Sequence, residues 1–151
     1  NYTRFPAIRE SQYKRLKAIR NPLWVKAMTA KINSYAVKKI GVFRWHDAGD
    51  VQDLRHLAKI FEICRRTPGM KHWMPTREAW TKKYIDRAPA NLVIRFSGTM
   101  IDQAPVKSWT HTSTVVTDGS RTCNAPDNGG QCGSCRKCWN KQIKNISYGK
   151  H

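Results

Sequence analysis

Four cysteines fall within one short stretch, CNAPDNGGQCGSCRKCW, and their type and spacing point most directly to chemistry. Cys132, Cys135 and Cys138 follow one another at C-x2-C-x2-C spacing, and Cys123 lies upstream. Two residues between thiols let neighbouring sulfurs reach one metal or cluster while backbone N–H groups turn toward them. Asp127, Asn128, Gly129 and Gly130 supply a turn that returns Cys123 to the other three. A disulfide pair fits poorly, because the cysteine count is odd and the triplet is tight. Structural zinc usually takes two separated C-x2-C knuckles. The consecutive triplet is closer to the run that holds iron–sulfur clusters, although the Cys-Pro that ends the ferredoxin pattern is missing. Spacing alone therefore leaves an iron–sulfur cluster and zinc both open as the cofactor of Cys123, Cys132, Cys135 and Cys138.

A second set of reactive side chains is more dispersed. His46, Asp47 and Asp50 follow the run IGVFRW; Thr76, Arg77 and Glu78 follow a second apolar run; Arg95 and Ser97 fall at the end of a third. A histidine with two acids nearby can bind metal or substrate or move protons, so His46 and Asp47, with Arg77, are the candidate catalytic residues. For Asp50 a helix N-cap is an equal reading, and for Glu78 capping its own helix is the simpler one.

These residues need elements to hold them. Ile40 to His46 reads as a strand and Val51 to Arg66 as a helix with Leu54, Leu57, Ala58, Phe61 and Cys64 inward. Met70 to Met74 reads as a strand, Ala79 to Arg87 as a short helix, NLVIRFSG as a third strand, 98–110 as a loop and Thr112 to Thr117 as a fourth strand. Strands alternating with helices at this interval imply β-α-β crossovers and a parallel sheet whose strand exits share one edge, the edge where such sheets place ligands. The expected fold is α/β: a partial, mainly parallel sheet, open or half-barrel-like, with basic N-terminal helices and a C-terminal four-cysteine metal site. Its 151 residues suit a single domain, with 1–40 as a basic helical part, 41–117 as the α/β core and 118–151 as the cysteine-rich segment.

Charge adds a partner. The chain carries 28 Lys and Arg against 10 Asp and Glu, a net +18, which points to a polyanion, DNA or RNA. Residues 1–40 concentrate it. One helix is expected from Ala7 to Arg20 with Ile8, Leu16 and Ile19 inward and Arg9, Lys14, Arg15 and Lys17 outward. A second is expected to start at Pro22, with Trp24, Met28, Ile32 and Tyr35 on one face and Lys26 and Lys31 among its charges. A host protein is the other partner to consider, with the charge then incidental. No apolar run reaches the length of a membrane span or a signal-peptide core, so a cytoplasmic protein is expected. The start at Asn1 suggests a processed product or a piece of a longer chain. No Gly-rich phosphate loop, nucleophile elbow or zinc-protease helix occurs.

RWHDAGDVQ, the PTRE exit, NLVIRFSG and the closing C…C-x2-C-x2-CW…SYGKH together resemble the bacteriophage proteins grouped as gene product eighty-eight, from about Trp24 to His151. Members of that family typically carry further cysteines, ending in Cys-Tyr-Ala, ahead of the region where this chain begins. That arrangement on an α/β framework is similar to radical S-adenosylmethionine enzymes, whose three N-terminal cysteines hold a catalytic [4Fe–4S] cluster. The resemblance implies that Cys123, Cys132, Cys135 and Cys138 are auxiliary-type cluster ligands and that His46, Asp47 and Arg77 line the cavity. Here no cysteine precedes Cys64, so S-adenosylmethionine chemistry would need an upstream segment. The host-cell cytoplasm is the location this kinship implies.

Overall fold

Three runs of β-branched and aromatic residues, and two further runs rich in Thr, Ser and Val or Ile, form the strands. The computed structural model describes residues 5–37, 41–46 and 49–150. Strands β1 (Val42–Arg44), β2 (Lys71–Thr76), β3 (Leu92–Ile101), β4 (Thr112–Val116) and β5 (Asn145–Gly149) pair in chain order. Every pairing is parallel, and the five-stranded sheet curls as half a barrel. Parallel neighbours require a crossover at every step. Helix α3 (Leu54–Arg66) makes the first and a 3-10 helix, Ala79–Arg87, the second. The irregular run 102–111 makes the third, and the cysteine segment makes the fourth.

The last of these departs from the expectation most. KNISYG falls in the segment 118–151 for which the sequence indicates only cysteine-rich metal binding, yet it is a fifth strand along β4, with Ser113 opposite Ile146 and Val115 opposite Tyr148. Its alternation is short and mixed with lysines, so the pairing partner rather than local pattern decides its state. Residues 98–101 likewise extend β3 instead of opening a loop. Pro75 and Thr76 belong to β2 rather than to its exit. The segment 79–87 forms 3-10 rather than α turns.

The side-chain alternation of the strands divides the sheet into two faces. One carries Met74, Leu92, Ile94 and Phe96 and is covered by α3 and by α2 (Trp24–Val37), making the main apolar core with Val25, Ile32, Leu57, Ile60, Phe61 and Cys64. Phe96 stacks on Trp109 from the β3–β4 connection at 4.7 Å between ring centroids. The other face carries Trp73 and Ile146 and is covered by the cysteine segment.

Helix α3 begins at Leu54 rather than Val51, because Asp53 is the N-cap, its carboxylate accepting from the His56 N–H at 2.7 Å. Its buried stripe runs through His56, Leu57, Ile60, Phe61, Ile63 and Cys64, which leaves the expected core residues Leu54 and Ala58 at the surface. Cys64 packs in the core as its place in the sequence suggested, and burial pushes its thiol up to about 12. Helix α2 starts at Trp24 rather than Pro22 and turns Val25, Trp24, Met28, Ile32 and Tyr35 to the core. Helix α1 (Pro6–Ile19) forms but buries none of its residues; of the face expected inward, Ile8 and Leu16 are 50% and 40% exposed and Ile19 is half-buried.

Candidate functional site

Each of the cysteines reaches the second sheet face by a different device. Cys123 is hung on β5, its N–H donating to the Ser147 carbonyl at 3.0 Å, while the Thr122 hydroxyl accepts from the Ser147 N–H at 2.9 Å. Cys132 and Cys135 bracket a tight turn in which the Cys135 N–H donates to the Cys132 carbonyl at 2.9 Å. Gly133 within it has φ +53, and a Cβ there would stand 3.0 Å from the Asn128 amide nitrogen, so glycine is required. Cys138 sits in the 3-10 turn Lys137–Trp139, and the adjoining Trp139 pins that turn to the far edge of the sheet. Its indole N–H donates to the Phe43 carbonyl at 2.9 Å and its ring meets Trp73 edge-on. An ion pair between Arg121 and Asp127 and a bond from Lys137 Nζ to the Thr122 carbonyl at 3.1 Å tie the connector to itself.

All four cysteines then line one narrow cavity, with Thr122, Lys137, Trp139 and Ile146, of about 10 Å3, room for roughly one water. Cys138 is 8% exposed at its floor and Cys132 is at the exposed rim. Burial raises the Cys138 thiol, opposed by the Tyr148 hydroxyl 3.4 Å from its sulfur and by the charge of Arg95. All four are free thiols. Among the described residues no group of three or more His, Cys, Asp or Glu side chains is placed so as to hold a metal ion, so the four-cysteine metal site expected from the sequence is not seen as such. The residue types around the cavity are those a thiophilic metal takes, four cysteines and no carboxylate, although their placement is not that of a metal site.

Beneath the cavity lies Arg95, which the sequence suggests for the strand-exit crevice and the structure buries completely, at 0% exposure. It alternates with Ile94 and Phe96 and so points to the opposite face from the core. Its Nε donates to the Cys138 carbonyl at 2.9 Å, Nη1 to Ile143 at 2.9 Å and Lys144 at 3.4 Å, and Nη2 to Asn140 at 2.9 Å and Lys137 at 3.3 Å. One planar guanidinium therefore gathers the carbonyls of the connector from Lys137 to Lys144.

The strand exits form a separate polar edge. Asp50 is its hub and not a helix cap. Its Oδ1 accepts from the Val51 N–H and the Thr76 hydroxyl, and its Oδ2 from the Arg77 N–H, all at 2.7 Å. The Arg77 guanidinium reaches across to the Gly98 carbonyl at 3.2 Å, so Asp50 and Arg77 link the ends of β1 and β2 to the body of β3. Ser97 meets Ser113 of β4 instead, at 3.3 Å. His46 has a left-handed backbone, φ +54, and its buried Nε2 has no partner among the described residues. Burial holds its pKa down against the pull of Asp50. Its ring lies 5.5 Å from that of His56, which is held down to about 4 by burial and by the His46 charge. Asp47 lies outside the described residues. Glu78 accepts from the Trp80 indole rather than capping its helix.

His56 and Tyr148 are the neighbours that sequence reasoning missed. His56 falls three residues after a capping Asp in a helix-forming run, and Tyr148 two residues after Ile146 on one strand face, but neither spacing specifies the contact.

The family model described as Gene product 88 matches residues 1–141. The chain belongs to the Gene product 88 family. The Gene product 88 match takes in all four clustered cysteines and ends short of β5. No curated protein and no solved structure matches the chain. Within the matched region, Arg9, Lys14, Arg15 and Lys17 are exposed on α1, and Lys26 and Lys31 on α2. Lys14 pairs with Glu10 at 2.8 Å and Lys31 lies over the Tyr35 ring. None of the described helices is long and apolar enough to cross a membrane.

Proposed function

We propose that this Gene product 88 protein is a phage metalloprotein that holds an iron–sulfur cluster through Cys123, Cys132, Cys135 and Cys138 and associates with nucleic acid through the exposed cations of its first two helices. The observation that carries the reading is the presence of all four cysteines in the lining of one cavity, on the sheet face that no described α-helix covers. A cluster bound there would supply electron transfer or a Lewis-acid iron. The chain's own residues fix the sulfurs through Ser147, the Gly133 turn and the carbonyls that Arg95 gathers, and Trp139 and Ile146 keep water from the inner wall. The net +18 and the exposure of Arg9, Lys14, Arg15, Lys17, Lys26 and Lys31 support phosphate contacts.

The deciding experiment is purification without oxygen, followed by a visible spectrum and assays for iron, sulfide and zinc on one sample. Brown protein with iron and sulfide supports the cluster. Colourless protein with one zinc replaces it with a zinc-stapled protein in which the cysteines serve architecture and a host protein becomes the leading partner; the single-ion size of the cavity favours this second reading. Binding to DNA or RNA at low salt should fall steeply as salt rises, and no binding at low salt removes the nucleic-acid half.

A radical S-adenosylmethionine-like enzyme is the other class of reading. It is favoured by five parallel strands in chain order and by the Asp50, Arg77 and His46 edge at their exits. The cysteines for that cofactor would come from an upstream segment. Cleavage of S-adenosylmethionine by a longer form of the chain supports this class, and inertness of such a form removes it.

A further inference from the structure

Helix α1 rests on the body along one side, which defines the side it offers to solvent. Lys59 of α3 donates from Nζ to the Ile19 carbonyl at 2.5 Å and so ties down the C-terminal end of α1. Along the helix only Ser11, Gln12 and Ile19 are half-buried, and with 3.6 residues per turn they share one side. The side turned away from them carries Arg9, Tyr13 and Lys17, each one turn from the next, and Arg20, whose backbone continues the helical path at φ −79 and ψ −16. Tyr13 is 65% exposed, and no ring or cation among the described residues lies over it, whereas Lys31 lies over Tyr35 and Arg87 over Tyr84. Glu10, the one acid between Phe5 and Val37, is already engaged by Lys14 at 2.8 Å. The face is therefore cationic, with an open aromatic ring in its middle.

Cations alone attract any polyanion, and the ring decides among them. A duplex buries its base faces against one another and presents phosphates and base edges. A single strand leaves the flat faces of its bases open, and an aromatic side chain set between basic ones takes base and backbone together. Lipid headgroups and acidic peptides offer charge without such a face. We propose that this side of α1 is a binding surface for single-stranded nucleic acid, in which Tyr13 stacks on a base and Arg9, Lys17 and Arg20 hold the phosphates on either side. The inference rests on the nucleic-acid half of the proposed function and deepens it by naming the strand state and the stacking residue. It is independent of what the cysteines hold.

The test measures binding of the full chain, by fluorescence anisotropy at fixed low salt, to a labelled oligothymidylate, an oligouridylate of the same length and a blunt DNA duplex. At least one single strand should bind about 10-fold more tightly than the duplex. Tyr13→Leu keeps apolar bulk and helix propensity without a π-face; it should weaken strand binding about 10-fold and leave duplex binding unchanged, while Tyr13→Phe should stay within about twofold of the wild type. Lys17→Gln should weaken binding and make the salt slope shallower by about 0.7. Both positions are exposed, and circular dichroism of each variant checks that helix content is kept. Wild-type strand affinity in Tyr13→Leu, an equal loss in Tyr13→Phe, an unchanged slope in Lys17→Gln, or a duplex bound as tightly as either strand overturns the stacking surface and leaves nucleic-acid binding standing. No binding of strand or duplex overturns the inference and the nucleic-acid reading together, whether the face then takes phosphatidylserine vesicles, poly-glutamate or neither.

Discussion

The two faces of the sheet are held by different physics. The helix face is closed by aliphatic and aromatic side chains, with Ile32, Leu57, Ile60, Ile63, Met74 and Leu92 at 1% exposure or less. The opposite face has a small cluster, Trp73, Cys138 and Ile146, beneath a connector that contains no α-helix and is held largely by hydrogen bonds, those of Arg95 above all. Apolar burial scales with area and tolerates repacking. A polar scaffold with few apolar contacts depends on every partner being present. The helix face should therefore behave as a conventional core, and the cysteine face as a module conditional on its ligand.

Removing a core side chain breaks the first half of this comparison. Ile60→Ala should cost about 4 kcal/mol in urea unfolding, with the same loss whether or not a chelator is present. A loss that depended on the chelator would mean that the two faces fold as one unit.

Acid should also act mainly on the helix side. Burial holds His72 and His56 down to about 4. Both are neutral in the folded chain at neutral pH, while the unfolded chain takes up protons on them near 6.5. Stability is therefore full above pH 6.5 and falls as pH drops toward about 4, by on the order of 3 kcal/mol for each histidine. Urea midpoints of metal-free protein between pH 7 and pH 4 check this, and His72→Gln should flatten the slope. An unchanged slope would place the proton uptake elsewhere.

The second half is sharpened by ligand removal. Saturating the site at about 100 times its Kd should add about 2.7 kcal/mol, and a chelator should remove that amount. Hydrogen exchange of the β5 amides should then quicken by about 100-fold while those of β2 hold. Uniform quickening would contradict two separable faces. A smaller effect belongs to the strand exits: Asp50→Ala leaves the Thr76 hydroxyl and the N–H groups of Val51 and Arg77 unpaired and should cost about 2 kcal/mol, with or without metal.

How much of this was legible in the sequence also differs between the faces. The β-α-β rhythm of residues 41–97 yields the parallel sheet, and helical periodicity yields most of the α2 and α3 core, because those elements answer to local pattern. Asp50 was ambiguous for a physical reason: its carboxylate satisfies donors from a strand distant in sequence, which no window around HDAGD contains. Arg95 and β5 were misread for the same cause. An arginine in an apolar strand looks like an exit residue until the carbonyls that surround it arrive from more than forty positions away. The sequence of α1 encodes a helix, but its apolar residues do not indicate that none of them will be fully buried.

The position of the cysteine connector between β4 and β5 has a consequence for synthesis on the ribosome. The first four strands can emerge and close the helix face before Cys123 leaves the exit tunnel, whereas β5 follows only after the last thiol. A metal held by these thiols, as proposed, would load only at the final step of the chain's completion. Until that step, the outer edge of β4 has no neighbour and offers a row of backbone groups to any extended chain nearby. Metal supply in the cell would then set how long each newborn molecule stays open to aggregation.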